Sequence, residues 1–439
     1  MRIIVLTFLY YAAALYGVRY PVFGLMFFIH IVIFRPDSLV WGHPVFGRLH
    51  LITAVLVVAG YFLQRRWLKA TGGGVLQKKN LVNIGLFLVW LLIVSVVAER
   101  SVPRSFEKSL ELLKIFAMCV VFTKIVTTEE RMENYVWVVV ISFGLLSLWG
   151  FEQSLNGNMR LDTLWPGGSN YIASQLALIA PFAIAKAADK NMRLIYRVGF
   201  LTCAVFMVLC TFATQSRGAL LGLILGMITF MFFVRYRIRA FAVLTLITVL
   251  VYPLVTETYV ERIGTSFVSE EERDPSAESR FALWQLALRI WQDYPIAGVG
   301  LDNFPFMRSA YAAEFLDLVT SKEVYNLIFD EDLYRERAPH GVYTGMMAET
   351  GVVGAGLFIL LLLRNIFVRF PKKFSDSPAN QSFYLQAKGA QAGLVGFAFA
   401  ALFYDLQYIE MLYLQMFFIG AIKTYAESKL NPAVEVLPR

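Results

Sequence analysis

Apolar runs that reach or approach twenty residues recur along this chain, strung between short basic turns, and they limit its possible folds more than any other feature. A run of that length spans the ~30 Å hydrocarbon core of a bilayer as a helix. Hydrocarbon leaves each crossing segment to satisfy its own backbone, so a helix bundle is predicted. Only 16% of residues are charged, against about a quarter in ordinary soluble chains. The chain therefore reads as an all-α polytopic membrane protein.

Candidate spans fall at 3–18, 21–34, 48–63, 81–97, 110–126, 134–152, 170–187, 198–213, 218–234, 239–255, 341–363, 384–404 and 407–424. The first two are short. Thirteen crossings put the N-terminus outside, whereas a re-entrant or broken segment among those two leaves twelve. The start, "MRIIVLTFLYYAAALYGVRYP", lacks a small-residue cleavage site and reads as a retained span. The connections 64–80, 186–197, 235–239 and 364–373 are strongly basic, and an even number of spans separates each successive pair. Lys and Arg favour the cytoplasmic side, which puts all four inside. The polar segment 256–340 then lies outside; it carries 16 acidic residues against 8 Lys and Arg. Three units follow: an N-terminal bundle, 1–255; a large outer loop with an amphipathic helix, 256–340; and C-terminal membrane helices, 341–439.

Several functions are excluded by absence. The basic residues sit in short turns, so no nucleic-acid surface is expected. Cys119, Cys203 and Cys210 lie inside apolar runs and suggest neither a disulfide nor a thiolate metal site. The phosphate-cradling GxxxxGK[ST] loop and the HExxH zinc motif do not occur, and the acids of "FDED" (329–332) read as solvated. Chemistry without a metal or cofactor is predicted. His30, His43 and His50 have no partner motif and receive no role.

Six residues remain as candidates. Arg217, in "TQSRGALLG", joins two apolar helices on the outer side: either it snorkels to the headgroups, or it meets a phosphate with Gly218 allowing close approach. Arg280 opens "RFALWQLALRIWQDYP", an amphipathic helix with apolar residues at 281, 284, 287, 288 and 291. It is a solvated charge unless it converges with Arg217 on one anion. Arg289, two and a half turns on, is a weaker candidate of the same kind. His340 follows Pro339 where the loop meets a span; it either bonds local backbone at a helix start or moves a proton. Glu349, about 13 Å further along that helix, is a structural partner or a contributor to the site. Asn170, after "WPGG", reads chiefly as a helix cap.

The segments "QSRGALLG", "SRFALWQLALRIWQDYPIAGVGLDNF" and "PHGVYTGMMAETGVVGAG" resemble the O-antigen ligase and Wzy-type polymerase superfamily of bacterial inner-membrane glycosyltransferases. "RYPVFGLMFFIHIVIFRPDSLVWG" and "SFEKSLELLKIFAMCVVFTKIVTTEER" are similar to the exosortase-associated O-glycosylation ligase branch. The resemblance implies a GT-C-like fold and a periplasm-facing site. It implies transfer of a glycan from undecaprenyl diphosphate to lipid A-core, with a polymerase or a protein O-glycan ligase as the alternatives. By the same resemblance Arg217 and Arg280 bind the diphosphate in place of a metal, and His340 acts at the acceptor hydroxyl as base or orienting group. Single-step attack inverts the sugar. Gly341 departs from the Asn or Ser that often follows the family's histidine. A transporter or flippase is the rival outside the class, but neither an internal repeat nor symmetric halves are visible.

Overall fold

The computed structural model describes residues 2–36, 48–66, 68, 74–157, 161, 168–233, 275–311, 314, 328 and 338–430. The expected span 239–255, His43 and "FDED" lie outside these residues. Among those described the secondary structure is helical throughout, with no strand.

The helices are α1 (Arg2–Arg19), α2 (Pro21–Phe34), α3 (Leu49–Gln64), α4 (Val75–Val96), α5 (Val102–Ile125), α6 (Glu129–Leu155) and α7 (Gly168–Ala187). Next come α8 (Leu194–Ala213), α9 (Arg217–Met231), α10 (Pro275–Asp293), α11 (Phe304–Tyr311), α12 (Val342–Ile366), α13 (Gln381–Ala400) and α14 (Glu410–Leu430). By length and composition α4, α6, α8 and α12 are able to cross a membrane; α2, α3, α9 and most of α1 are apolar but shorter. Local chemistry sets several starts. Pro21 opens α2, where a missing N–H costs nothing. Thr128 caps the N–H of Arg131, and Glu129 and Glu130 occupy the positive first turn of α6.

Small residues bring the helices together. A Cβ on Gly17 would stand 2.7 Å from Gly24 Cα, so α1 and α2 pack as a hairpin at glycine–glycine distance. A Cβ on Gly396 of α13 would meet Gly222 O of α9 at 2.6 Å, and one on Gly389 would meet Ala185 of α7 at the same distance. Inside this frame runs α14, buried from Met411 to Ile422. Its Phe418 stacks on Tyr135 of α6 with centroids 4.7 Å apart, and the Tyr135 hydroxyl donates to Gln415 at 2.9 Å. A single apolar cluster thus runs from Leu25 to Ala426. At one end a polar knot closes the bundle: Lys186, 3% exposed, pairs with Glu133 (2.6 Å) and Asp189 (3.3 Å), and Ser382 donates to Asp189.

Two features differ from the sequence reading. Helix α10 forms, but its buried face is Ala282, Leu283, Leu286, Ala287 and Ile290, while Phe281 and Leu288 are exposed. The sequence carries two overlapping apolar stripes, and packing selects the smaller, better-fitting one. Second, α12 is not a regular span. Gly351 breaks it with φ +65° and ψ −173°. The break frees backbone groups that the segment 295–300 then satisfies. Val352 N donates to Pro295 O (2.9 Å), while Val299 N and Gly300 N donate to Ala348 O and Glu349 O (2.9 and 3.0 Å).

Candidate functional site

The three motifs singled out in sequence meet at the end of the bundle opposite the Lys186 knot, on the turn 401–409 between α13 and α14. Ser216, immediately before Arg217, has its hydroxyl 3.0 Å from the Tyr404 hydroxyl. Arg280 sets its guanidinium carbon 5.4 Å from the centre of the same tyrosine ring, within cation–π range. Asp405 accepts from the backbone N–H of His340 (3.1 Å) and of Gly341 (3.4 Å), and its Oδ2 lies 3.9 Å from His340 Nδ1. Tyr404 and Asp405 therefore gather one arginine helix, the loop helix and the histidine onto two adjacent residues.

His340 holds a left-handed backbone, φ +52°, and Gln215, two residues before Arg217, does likewise at +53°. Such strain in non-glycine residues persists where surroundings impose it, commonly at functional sites. Here Asp405 imposes it on one side. On the other, Trp284 of α10 donates its indole N–H to His340 O at 3.1 Å. The imidazole remains more than a third exposed. Gly341 is small for a local reason: a Cβ there would stand 2.8 Å from Leu402 O and 2.9 Å from Trp284 Nε1. Gly218 is similar, but the group it admits is Phe403, 2.7 Å from where its Cβ would be. Burial pushes the Asp405 carboxyl up to about 6, against the pull of the Gly341 and His340 amides that favour its charge.

The supporting candidates sit elsewhere. Arg289 pairs with Asp293 (2.5 Å) and Glu314 (3.0 Å), and nine residues of helix turn it to the face opposite Arg280. Glu349 is 5% exposed and accepts from Phe304 N at 3.4 Å, at the start of α11. It anchors the loop turn that carries α10. Asn170 is the third residue of α7, inside the first turn and past the cap position, and its carbonyl accepts from Ser174. His30 bonds Ser142 at 3.0 Å between α2 and α6.

Sequence reasoning overlooked Tyr404, Asp405, Trp284 and Ser216. One signal was present: Asp405 is the single acid between Asp376 and Glu410, isolated in an apolar stretch.

The helices and this charged end define a multi-pass membrane protein whose site lies at one end of the bundle. Residues 202–359 match the family model described as O-antigen ligase, and residues 1–158 match a family of unknown function (DUF5935). The first of these segments, similar to the O-antigen ligase family, contains Arg217, Arg280, His340 and Glu349. No curated protein matches the chain. The second match covers the residues that resemble the exosortase-associated branch, and its description assigns no activity.

Proposed function

We propose that the protein is an O-antigen ligase that moves a glycan from undecaprenyl diphosphate to lipid A-core at the periplasmic face of the inner membrane. The observation that carries this reading is the meeting of the Arg217, Arg280 and His340 segments on Tyr404 and Asp405. The two guanidinium groups hold the diphosphate and stabilise the charge it gains in leaving. Asp405 faces Nδ1 of His340, which leaves Nε2 to take the proton of the acceptor hydroxyl. The acceptor oxygen bonds to sugar C1 as the C1–O bond to phosphate breaks, and the electron pair departs with the diphosphate. The sugar inverts.

The test is transfer by purified full-length protein given glycan-loaded undecaprenyl diphosphate and lipid A-core. His340→Ala, Arg217→Ala and Arg280→Ala are each expected to cut the rate by about 100-fold or more while the melting transition persists. Wild-type rates in any variant remove that residue from the mechanism. A ladder of lengthening lipid-linked glycans, formed without lipid A-core, would instead identify a polymerase.

A further inference from the structure

Beside the turn 401–409 a cavity of about 520 Å³ opens between α2, α3, α5 and the beginning of α14, and no family description assigns it a ligand. Most of its wall comes from residues 28–119, inside the segment matched by the family of unknown function. We propose that this chamber seats the acceptor, and that the acceptor is a membrane amphiphile with apolar chains and an anionic, sugar-bearing head. The proposal rests on the transfer reading above.

The chamber has two kinds of wall. Phe28, Val32, Val55, Val58 and Met118 make an apolar surface suited to acyl chains. The chamber wall also carries charges in pairs, Arg35 with Glu410 at 3.5 Å and Lys108 with Glu111 at 3.2 Å. Paired donors and acceptors of this sort suit the hydroxyls of a sugar. The Tyr408 hydroxyl, on the same wall, is buried and makes no hydrogen bond to a described residue. A buried hydroxyl left unbonded is costly and invites a ligand atom.

Lys114 supplies the anion's partner. It lies twelve residues into α5, ~18 Å from the helix start, and is exposed on the chamber wall. No described residue stands within ion-pair or hydrogen-bond distance of it. A cation on the wall of a largely apolar chamber, close to the apolar part of the bundle, suits an anionic ligand group. Helical side chains lean toward the N-terminus, which here is the site end, so the ammonium leans toward that end of the chamber.

Asp405 sets the direction. It lines the chamber and also holds His340, whereas Arg280 and Ser216, the residue before Arg217, meet at Tyr404. A ligand entering from the chamber meets the histidine side of the site, where the attacking hydroxyl belongs.

The experiment measures binding of lipid A-core and, separately, of undecaprenyl diphosphate to full-length protein in nanodiscs, each without the other substrate. Lys114→Met and the chamber-filling Ala54→Trp are expected to weaken lipid A-core binding about tenfold and leave undecaprenyl diphosphate binding unchanged. Lys114→Arg should retain lipid A-core affinity, which separates a charge effect from a folding defect. Unchanged lipid A-core binding in both weakening variants overturns the proposal. Selective loss of undecaprenyl diphosphate binding also does so, by giving the chamber to the donor. Equal displacement of lipid A-core by phosphatidylglycerol would reduce the chamber to a generic lipid crevice. Because binding is read without turnover, a chain that binds lipid A-core through Lys114 yet never transfers glycan defeats the ligase reading and leaves the chamber standing.

Discussion

Asp405 keeps a carboxyl group where the fold would gain by neutralising it. Its proton is held up to about 6, above the ordinary aspartate range near 4, because burial disfavours the charge. The native state thus binds the proton more tightly than the unfolded chain does. That stabilising contribution, on the order of 2–3 kcal/mol, is full below about pH 4 and lost as pH rises through about 6. A charge retained at such a cost, beside the one histidine at the site, is the pattern of a functional group. Asp405→Asn removes the titration, so the melting temperature should vary less between pH 4 and 7 than in the parent. Transfer should fall at least tenfold in the same variant, because its NH2 would face one of the two backbone N–H groups from which the carboxylate oxygens accept. A transfer rate that keeps its parental value would show that the carboxylate serves only the backbone. At this scale the sequence displayed Arg217, Arg280 and His340, each at the edge of an apolar run. It concealed their meeting place. The hydroxyl contact between Ser216 and Tyr404 joins residues 188 positions apart, and no local pattern marks either as the other's partner.

Among the elements, the break in α12 and the segment 295–304 are one device. Gly351 bends the helix, and the exposed carbonyls of Ala348 and Glu349 bind the loop that bears α10. Asn303 then fastens that loop to the start of α5. It is fully buried, accepts from Ser101 N at 2.7 Å and Arg100 N at 3.2 Å, and donates to Ser105 Oγ at 2.9 Å. Asn303→Ala takes the acceptor from Ser101 N and Arg100 N and leaves a void in the clamp, so a loss of about 1–3 kcal/mol is expected in denaturant melts. Gly351→Ala should do more harm, because the new Cβ would collide with Ile296 O and a left-handed alanine is itself strained. If either variant melts like its parent, the loop is not clamped in this way. The helical elements were legible because their hydropathy is strong. The break was not, since "AETGVVGAG" reads as a continuous small-residue helix until a second segment arrives to bind its backbone. The rotated stripe of α10 has the same origin: "FALWQLALRIW" is apolar on more than one face, and only the packing partner chooses between them.

For the whole molecule, the matched N-terminal and ligase segments share one core, since α14 packs through the middle of both and Leu25 and Ala426 belong to a single cluster. The site is therefore supported by residues far outside the ligase segment, Arg35, Lys108 and Asn303's partners on α5 among them. The two ends of this bundle also differ in charge. Arg65, Arg66, Lys190, Arg193, Arg197, Lys372 and Lys373 lie away from the site, as expected for a cytoplasmic face. Helix α13 measures the separation: its twenty residues rise ~30 Å from Gln381 to the site turn, one bilayer thickness. Exposed Gln292, at the end of the loop helix, and exposed Ala379, just before α13, are therefore expected on opposite sides of the membrane if the proposed orientation holds. Cys119 and Cys210 are buried and Cys203 partly so, which leaves the parent chain as a low-background control. In intact cells stripped of their outer membrane, Gln292→Cys should react with a membrane-impermeant maleimide. Ala379→Cys should react only after the inner membrane is opened. Labelling in the reverse order would place Arg217, Arg280 and His340 in the cytoplasm, and a periplasmic ligase could not be built on them.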